Sequence, residues 1–329
     1  MKYVSLPDSL IRPLPFYLAM EEYLAVKFDS REDMFFMWQV KPTVIFGRNQ
    51  VIEREVNVDY CRSRGIAMYR RRSGGGCVYA DMSNIMFSCV TTADDPVAVT
   101  FGRYTSRVAA MLCSLGLDAS ATSRNDILIG DRKVSGNAFY HKPGRSIVHG
   151  TMLYDTDMTN MSAAITPSRA KLEAKGVESV RARITTLREH TDMGLEQFKD
   201  YAREYMCDGD VALGVDDVAA IEKLAEPYFD PEWIYGRRRG TFTSRRLIDG
   251  VGEFQVQLSV GDRKITGLDL AGDFFLTGDM DSLIVNRLIG VDYDREAIEA
   301  AMADVNTSNV IHGLTTPQLI NLLFENGTE

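Results

Sequence analysis

The sequence predicts an α+β fold, and three observations lead to this class. Stretches with strand-like and helix-like hydrophobic patterns follow one another irregularly, without the βαβ rhythm of a doubly wound sheet. The length of 329 residues suffices for one large domain and a smaller one. The pattern changes near residue 240, where a hairpin and short helices begin. We therefore expect a large domain over residues 1–240 and a small α+β domain over residues 241–329.

The large domain is predicted to begin with a helix and to continue mainly with strands. Pro15–Val26 carries an apolar stripe at helical spacing, and Phe101–Leu115 does the same before Gly116, a plausible C-terminal cap. The expected strands are Met34–Val40, Thr43–Phe46, two stretches between Ala67 and Val90 separated by a glycine run, Asp126–Ile129 and Ser146–Tyr154.

The small domain is predicted to combine a hairpin with helices. Glu253–Val260 alternates apolar and polar residues, and Lys264–Leu270 continues the pattern after a Gly-Asp turn. The expected helices that follow are Met280–Leu288, Arg295–Val305 and Thr316–Phe324.

Composition and N-terminal sequence exclude several classes of protein. No apolar run reaches the roughly 20 residues of a membrane helix. The N-terminus contains Pro7, Pro13, Pro15 and the acidic pair Glu21-Glu22, unlike a signal peptide, so a cytoplasmic location is predicted. The five cysteines lack C-x-x-C spacing and suit a reducing compartment. The four histidines form no zinc-binding pattern.

Charge is unevenly distributed along the chain. The net charge is −9, and residues 241–329 carry 6 Lys+Arg against 14 Asp+Glu. Residues 1–240 are nearly neutral, with 31 basic against 32 acidic residues. Because nucleic-acid binding depends on a basic face, this balance disfavours it.

The first segment that suggests chemistry is a run of three arginines followed by Ser73 and Gly74–Gly76. Three consecutive glycines cost backbone entropy, and a close approach of bare N–H groups to an anion would explain them. The neighbouring arginines would add positive charge for a phosphate or carboxylate. A flexible hairpin with a solvated basic flank explains the pattern equally well, so this segment alone leaves both interpretations open.

Three further segments carry polar residues among glycines. Arg124–Asp126 precedes Lys133–Gly136, whose lysine could stabilise charge that develops during acyl transfer, although a surface hairpin explains such a lysine more often. His149–Thr151 begins a strand, where a lone histidine is more often structural than catalytic. Lys171–Thr185 is polar, basic and interrupted by Gly176, as in a mobile loop that closes over an anion or in a solvated helix–turn.

Taken together and in this order, the segments resemble the lipoate–protein ligase family. The matching features are R-R-x-S-G-G-G with Asp81 and Asn84, R-N-D with G-x-K-x-S-G, the H-G-T strand, and K-G-V-x-S-V-R-x-R-I-T. The resemblance extends from the Leu18–Glu22 helix to the small C-terminal domain. It implies a biotin-ligase-like mixed sheet in the catalytic domain, followed by an accessory domain.

The resemblance also implies a two-step reaction with ATP and Mg²⁺. Lipoate and ATP would give lipoyl-adenylate and pyrophosphate, and an acceptor lysine would then attack the activated carbonyl. The implied partners are acidic lipoyl domains of 2-oxoacid dehydrogenase complexes, or the glycine cleavage H protein, attracted by arginine-rich parts of the catalytic domain. A monomer is expected, because no long hydrophobic seam is present.

Residue roles follow from the same resemblance. Lys133 is the implied catalytic residue, in contact with the carboxylate and then with oxygens of the adenylate. Asp126, with Asn125, would hold Mg²⁺ or the incoming amine, and Lys175–Arg183 would cover the adenylate. The implied binding residues are Arg70, Ser73, Gly74, Gly75, Gly76, Val78, Asn84, Asn125, Asp126, Ser135, Gly136, His149, Gly150, Thr151, Lys175, Val180, Arg181 and Arg183.

Two positions depart from the family pattern, and several other functions compete. Ala80 and Ser83 stand where the family usually has His and Gly, which bears on the choice between lipoate, octanoate and a relative.

An acyltransferase of the same fold would need an activated thiol, for which Cys77 is the candidate. The biotin-ligase loop G-R-G-R-x-G and the P-loop motif are both absent from the sequence. A non-catalytic lipoate- or adenylate-binding protein is disfavoured by the presence of Lys133, Asn125 and Asp126.

Overall fold

The computed structural model describes residues 1–27, 32–91, 97–122, 124–142, 144–166, 183–236 and 244–324. These ranges contain three β-sheets. The strands are β1 Lys2–Ser5, β2 Met34–Trp38, β3 Thr43–Phe46, β4 Ala67–Arg70, β5 Val78–Ala80, β6 Ile85–Thr91, β7 Ala119–Ala121, β8 Asp126–Ile129, β9 Arg132–Lys142, β10 Arg145–Met152, β11 Gly209–Ala212, β12 Ser244–Ile248, β13 Gly252–Gly261 and β14 Lys264–Gly272.

The largest sheet has the order β11-β1-β2-β6-β10-β9-β8-β7. Strand β1 pairs in parallel with β2 and β11, and the remaining pairs are antiparallel. A second sheet has the order β4-β3-β5. Strand β4 ends at Arg70 and β5 begins at Val78, so the glycine run lies in the connection between two strands that flank β3.

Helices pack on these sheets and around the small C-terminal sheet. They are α1 Leu14–Lys27, α2 Ile52–Glu55, α3 Val58–Ser63, α4 Val97–Ser114, α5 Met158–Ala164, α6 Leu195–Met206, α7 Val215–Ala225, α8 Pro231–Tyr235, α9 Asn286–Leu288, α10 Arg295–Ala301 and α11 Thr316–Phe324. None of the helices in the described ranges is long and apolar enough to cross a membrane.

Helix α1 lies in the core of the large domain. Its buried residues include Leu14, Leu18 and Leu24, and it packs against β6, β10 and α7. A helix that is apolar on nearly all sides is expected to be buried in this way. Glu21, near the middle of α1, is also fully buried, which requires partners for its carboxylate.

The C-terminal part forms its own hydrophobic core. Strands β12, β13 and β14 make an antiparallel sheet, and helices α10 and α11 cover it with Ile298, Leu319 and Leu323. Phe275, just after β14, instead packs into the core of the large domain. The predicted boundary at residues 240 and 241 lies outside the described residues.

Most of the predicted elements are confirmed, with shifts at their ends. The N-terminal helix, the strand Thr43–Phe46 and the C-terminal hairpin occur as expected. Strand β9 was not predicted, because small and polar residues interrupt its apolar pattern. Lys133 was expected in a turn, but it lies in this strand. The predicted helix Met280–Leu288 begins with a π-helical turn at Asp281–Val285, and the helix predicted over Arg295–Val305 ends at Ala301.

Candidate active site

A single cavity collects residues from both parts of the chain. Part of its apolar lining, called here the apolar wall, is formed by Leu14, Leu18, Trp38 and Met86. The polar residues that line it include Glu55, Arg71, Arg124, Asn125, Asp126, Lys133, Asn137, His149, Thr151, Arg183 and Asp273. A cavity with an apolar wall and convergent charged groups is typical of a site for a small amphipathic ligand.

The glycine run Gly74–Gly76, called here the glycine loop, is packed against other backbone. A Cβ atom on Gly74 would lie 2.2 Å from the Phe274 carbonyl oxygen, and one on Gly47 would lie 2.1 Å from that of Gly75. Gly75 has a φ of +85°, and its N–H donates to the Phe274 carbonyl at 3.2 Å. The flexible-hairpin interpretation is therefore wrong, because these glycines permit close backbone contacts.

Gly75 and Gly76 line the cavity, whereas Gly74 packs against the backbone of Phe274. A Cβ on Gly76 would meet only the Asp273 carboxylate, at 3.9 Å. The backbone of the loop is thus most open at Gly76.

The first two of the three arginines before the loop, Arg70 and Arg71, have different positions. The guanidinium of Arg70 is buried and donates to backbone carbonyls, including those of Gln50 at 2.7 Å and Trp233 at 2.9 Å, so Arg70 does not line the cavity. Arg71 does line it, and its guanidinium donates to the carbonyls of Gly74 at 2.7 Å and Gly76 at 2.8 Å. Arg71 was not assigned a role from the sequence, because three adjacent arginines share one pattern.

Arg71 brings a buried positive charge to the cavity. Burial lowers the pKa of its guanidinium to about 10, and electrostatic interactions with Cys77, Asp273 and Glu21 act in the opposite direction. At neutral pH the group is therefore still a cation. A buried cation that lines a cavity favours an anionic ligand there.

Lys133, near the start of β9, belongs to an ion-pair cluster. Its Nζ lies 2.7 Å from Asp126 Oδ1, and the other carboxylate oxygen of Asp126 accepts from Arg183. Burial lowers the pKa of Lys133, and the Asp126 charge opposes this shift. A Cβ on Gly136 would lie 2.4 Å from the ammonium nitrogen, so glycine at this position makes room for the lysine.

An asparagine pair fixes the strands that carry these groups. Asn125 Nδ2 donates to the Asn137 carbonyl at 3.0 Å, and Asn137 Nδ2 donates to the Asn125 carbonyl at 3.1 Å. Asn137 was not singled out from the sequence. A Cβ on Gly150 would lie 1.9 Å from Asn137 Oδ1, which accounts for glycine beside His149.

Several other predicted residues lie near the cavity without lining it. Ser73 is buried and bonded to His149, and Ser135 is buried on β9, where its Oγ accepts from Asn137 Nδ2 at 3.2 Å. Asn84 is buried and bonded to Thr156. Val78, Gly136, Gly150 and Thr151 do line the cavity. Lys175, Val180 and Arg181 lie outside the described residues.

The C-terminal part supplies two residues to the same cavity. Asp273 lies 3.8 Å from Arg124, and the ring of Phe275 stacks on Phe139 with centroids 5.3 Å apart. One side of the cavity is thus formed by a segment that lies more than 120 residues along the chain from Lys133. Local sequence patterns do not reveal a contribution from so distant a segment.

The geometry agrees with what comparisons with known proteins find. A family model described as the lipoyl protein ligase A/B catalytic domain matches residues 13–207, and one described as the bacterial lipoate protein ligase C-terminus matches residues 241–323. Lipoate–protein ligase 1 of Staphylococcus aureus is 32% identical over 330 residues, covering 98% of this chain and 100% of the relative. The chain belongs to the lipoate–protein ligase family.

Solved structures of lipoate–protein ligases are similar in fold. A Thermoplasma acidophilum protein solved with bound lipoic acid is 25% identical, with a TM-score of 0.62 over 72% of this chain and 99% of that one. A second structure from this organism, reported with an E2 lipoyl domain, is 26% identical, with a TM-score of 0.63 over 73% of this chain and 98% of that one. A Plasmodium falciparum protein is 18% identical, with a TM-score of 0.72 over 98% of this chain and 97% of that one. The predicted α+β fold with an accessory domain is confirmed.

Within this ligase family, the two departures lie away from the cavity lining. Ala80 is fully buried in the core at the end of β5, where it pairs with Thr43. Ser83 donates to Asp81 from its backbone N–H at 2.9 Å and from its hydroxyl at 2.7 Å. Ser83 therefore stabilises the turn that leads into β6.

Cys77, the thiol that an acyltransferase would need, is half-buried beside the glycine loop. Its Sγ lies 3.6 Å from Gln50 Oε1, and it lines the cavity. The matched relative is a lipoate–protein ligase, and the match to the ligase C-terminus favours the ligase over the transferase.

Proposed function

We propose that this chain activates lipoate with ATP and transfers the lipoyl group to a lysine of an acceptor protein. The observation that carries this proposal is that the buried guanidinium of Arg71 and the half-buried ammonium of Lys133 lie in one cavity with an apolar wall. The apolar wall suits the acyl chain and dithiolane of lipoate, whereas the cations suit its carboxylate and the phosphates of ATP. The lipoic acid bound by the Thermoplasma acidophilum relative supports the choice of ligand.

In the first step, a lipoate carboxylate oxygen attacks the α-phosphorus of ATP, and the bond to pyrophosphate breaks. Arg71 and Lys133 stabilise the negative charge that builds on the phosphorus oxygens. The glycine loop presents its backbone at Gly75 and Gly76, and Arg71 holds the carbonyls of that loop away from the anion. Arg183 and residues 175–181 would cover the adenylate.

In the second step, the acceptor amine attacks the activated carbonyl carbon, the bond to AMP breaks, and the amine loses a proton. Lys133 then contacts the carbonyl oxygen as it becomes negative. Asn125 and Thr151, on the cavity wall, are available to orient the incoming amine. The remaining predicted residues do not line the cavity and would stabilise the segments that do. They are Arg70, Ser73, Gly74, Asn84 and Ser135.

Magnesium is proposed to arrive with the phosphates of ATP. The Asp126 carboxylate does not fit a resident metal, because Lys133 and Arg183 already bind it. Among the described residues, no group of three or more His, Cys, Asp or Glu side chains is arranged to hold a metal ion.

The proposed acceptor is an acidic lipoyl domain of a 2-oxoacid dehydrogenase complex or the glycine cleavage H protein. A relative from Thermoplasma acidophilum is reported together with an E2 lipoyl domain, which supports this class of partner. A cytoplasmic monomer with domains at residues 1–240 and 241–329 remains our proposal for the protein as a whole. Sedimentation of the purified chain tests the monomer.

Mass spectrometry of an acceptor tests the proposed function. Incubation of the chain with ATP, lipoate and a lipoyl domain should add one lipoyl group to one lysine, and omission of ATP should abolish the product. Cys77→Ser should retain this activity, because no thioester is formed. Modification without ATP, from an acylated carrier and lost in Cys77→Ser, would contradict the proposal.

A further inference from the structure

Glu21 is a fully buried carboxylate beneath the cavity, and the two reaction steps above leave it without a role. It lies in the apolar helix α1 and is not among the residues that line the cavity. An ionised carboxylate in such surroundings is costly unless hydrogen bonds compensate for lost water. The partners of Glu21 therefore indicate what it holds in place.

One chain of hydrogen bonds reaches Glu21 from the apolar wall. The indole Nε1 of Trp38 lies 2.8 Å from Ser88 Oγ, and an indole N–H can only donate. The Ser88 hydroxyl therefore accepts from Trp38 and directs its own hydrogen to Glu21 Oε1, at 2.6 Å. Trp38 is also stacked on Tyr17, with centroids 4.8 Å apart, so its ring is held on one face and at its N–H.

A second chain reaches Glu21 from the glycine loop. The Nε of Arg71 lies 2.9 Å from Ser73 Oγ and can only donate, so the Ser73 hydroxyl directs its hydrogen to His149 Nε2, at 2.7 Å. The hydrogen of the His149 ring then lies on Nδ1, which is 2.9 Å from both carboxylate oxygens of Glu21. This tautomer is assigned from the hydrogen-bond directions.

Both chains end on the same carboxylate. Their outer members, Trp38 and Arg71, line the cavity, whereas Ser73, Ser88 and Glu21 are buried behind it. Arg71 also donates to the carbonyls of Gly74 and Gly76, so its orientation sets the shape of the glycine loop. Glu21 is the common acceptor that fixes this loop relative to the apolar wall.

We propose that Glu21 is a positioning residue for adenylation, which holds Arg71 and the glycine loop in place through His149 and Ser73. This inference rests on the proposed function, because it assigns Arg71 to the anion formed in the first step. If the Glu21 carboxylate no longer accepts a hydrogen bond from His149, the His149 ring and the Ser73 hydroxyl lose their fixed orientations. Arg71 then loses one of the hydrogen bonds that orient its guanidinium.

The test compares Glu21→Ala, Glu21→Gln and the matched control Glu22→Gln in lipoate-dependent pyrophosphate release. Glu22 is the adjacent carboxylate, and it instead binds Arg72 and Lys142, each at 2.7 Å. We expect Glu21→Ala to lower kcat at least tenfold and to raise the KM for ATP. Glu21→Gln, which keeps an acceptor oxygen of the same reach, should recover most of the loss. Glu22→Gln should behave as the wild type.

A double-mutant cycle with Ser73→Ala separates positioning from a general loss of structure. Because Ser73 lies on the chain between Glu21 and Arg71, its loss in the Glu21→Ala background should cost less than its loss alone. Additive losses, an effect confined to the KM for lipoate, or equal losses in Glu21→Gln and Glu21→Ala would overturn the proposal. A wild-type chain that releases no pyrophosphate would overturn the proposed function together with this inference, whereas an active wild type with unaffected variants would overturn this inference alone.

Discussion

At the scale of single residues, the site depends on side chains that are buried yet charged. Arg71 and Lys133 both have pKa values lowered by burial, and both lie where an anion would be held. Buried charges with lowered pKa values cluster at functional sites more often than elsewhere. We therefore expect the rate of pyrophosphate release to depend on the positions of Arg71 and Lys133 as well as on their charge.

The first prediction concerns the planar guanidinium group of Arg71. Arg71→Lys keeps the charge but loses the planar set of donors that binds Ser73, Gly74 and Gly76. Pyrophosphate release should fall by about 10²–10³-fold, the usual cost of removing a preorganised donor at a developing charge. Arg72→Lys is the control, since Arg72 binds Glu22 and Tyr228 instead. Equal effects in the two variants would contradict the assignment of Arg71.

The space beside Lys133 provides a second prediction. Gly136→Ala would place a Cβ atom 2.4 Å from the Lys133 ammonium, which can move because it ends a flexible side chain. The fold should persist, but displacement of the ammonium by about 1 Å should reduce kcat on the order of 10²-fold. Gly102→Ala, in α4 with no atom within 4 Å of the new Cβ, is the control. Full activity in Gly136→Ala would argue against contact between Lys133 and the reacting groups.

At the scale of elements, the site is built where strand ends and loops from three sheets meet. The periodic elements, such as α1 and the β13–β14 hairpin, could be predicted because burial on one side imposes a regular apolar pattern. Strand β9 could not, because Gly136 and Asn137 line the cavity and Ser135 accepts a hydrogen bond from Asn137, so none of the three extends an apolar pattern. Functional requirements override the local pattern at this strand.

The segment after β14 provides a prediction at this scale. Phe275→Ala removes a buried ring that stacks on Phe139 and lines the cavity, at an expected cost of about 3–5 kcal/mol in the free energy of unfolding. Phe229→Ala, a ring that is 46% exposed, should cost clearly less. Denaturant unfolding followed by fluorescence measures both. Similar costs would show that the accessory segment is not packed as described.

At the scale of the whole molecule, the cavity joins residues that are far apart in sequence. The segments that contain Lys133 and His149 could be recognised separately, but neither the hydrogen-bond chain from Arg71 through His149 to Glu21 nor the contribution of Asp273 could be predicted. Contacts between residues more than 120 positions apart leave no periodic trace in one sequence. The order of the motifs was sufficient to predict the family, whereas the contacts between distant residues are seen only in the folded structure.

The unequal charge of the two parts provides a prediction about the acceptor. An acidic lipoyl domain should be attracted to the nearly neutral, arginine-containing first part rather than to the acidic second part. Its KM should therefore rise with ionic strength, since a Debye length of about 8 Å at 0.15 M shortens further with added salt. The KM for lipoate serves as the internal control. An acceptor KM that does not depend on salt would contradict electrostatic attraction.

The most direct test of the central claim is lipoate-dependent release of pyrophosphate from ATP, measured for the wild type, Lys133→Ala and Lys142→Ala. Lys142 lies at the other end of β9 and binds Glu22, so its loss should leave the reaction intact. We predict release that requires lipoate, persists in Lys142→Ala and collapses in Lys133→Ala. Pyrophosphate release without lipoate, or full activity in Lys133→Ala, would contradict adenylation of lipoate at this site.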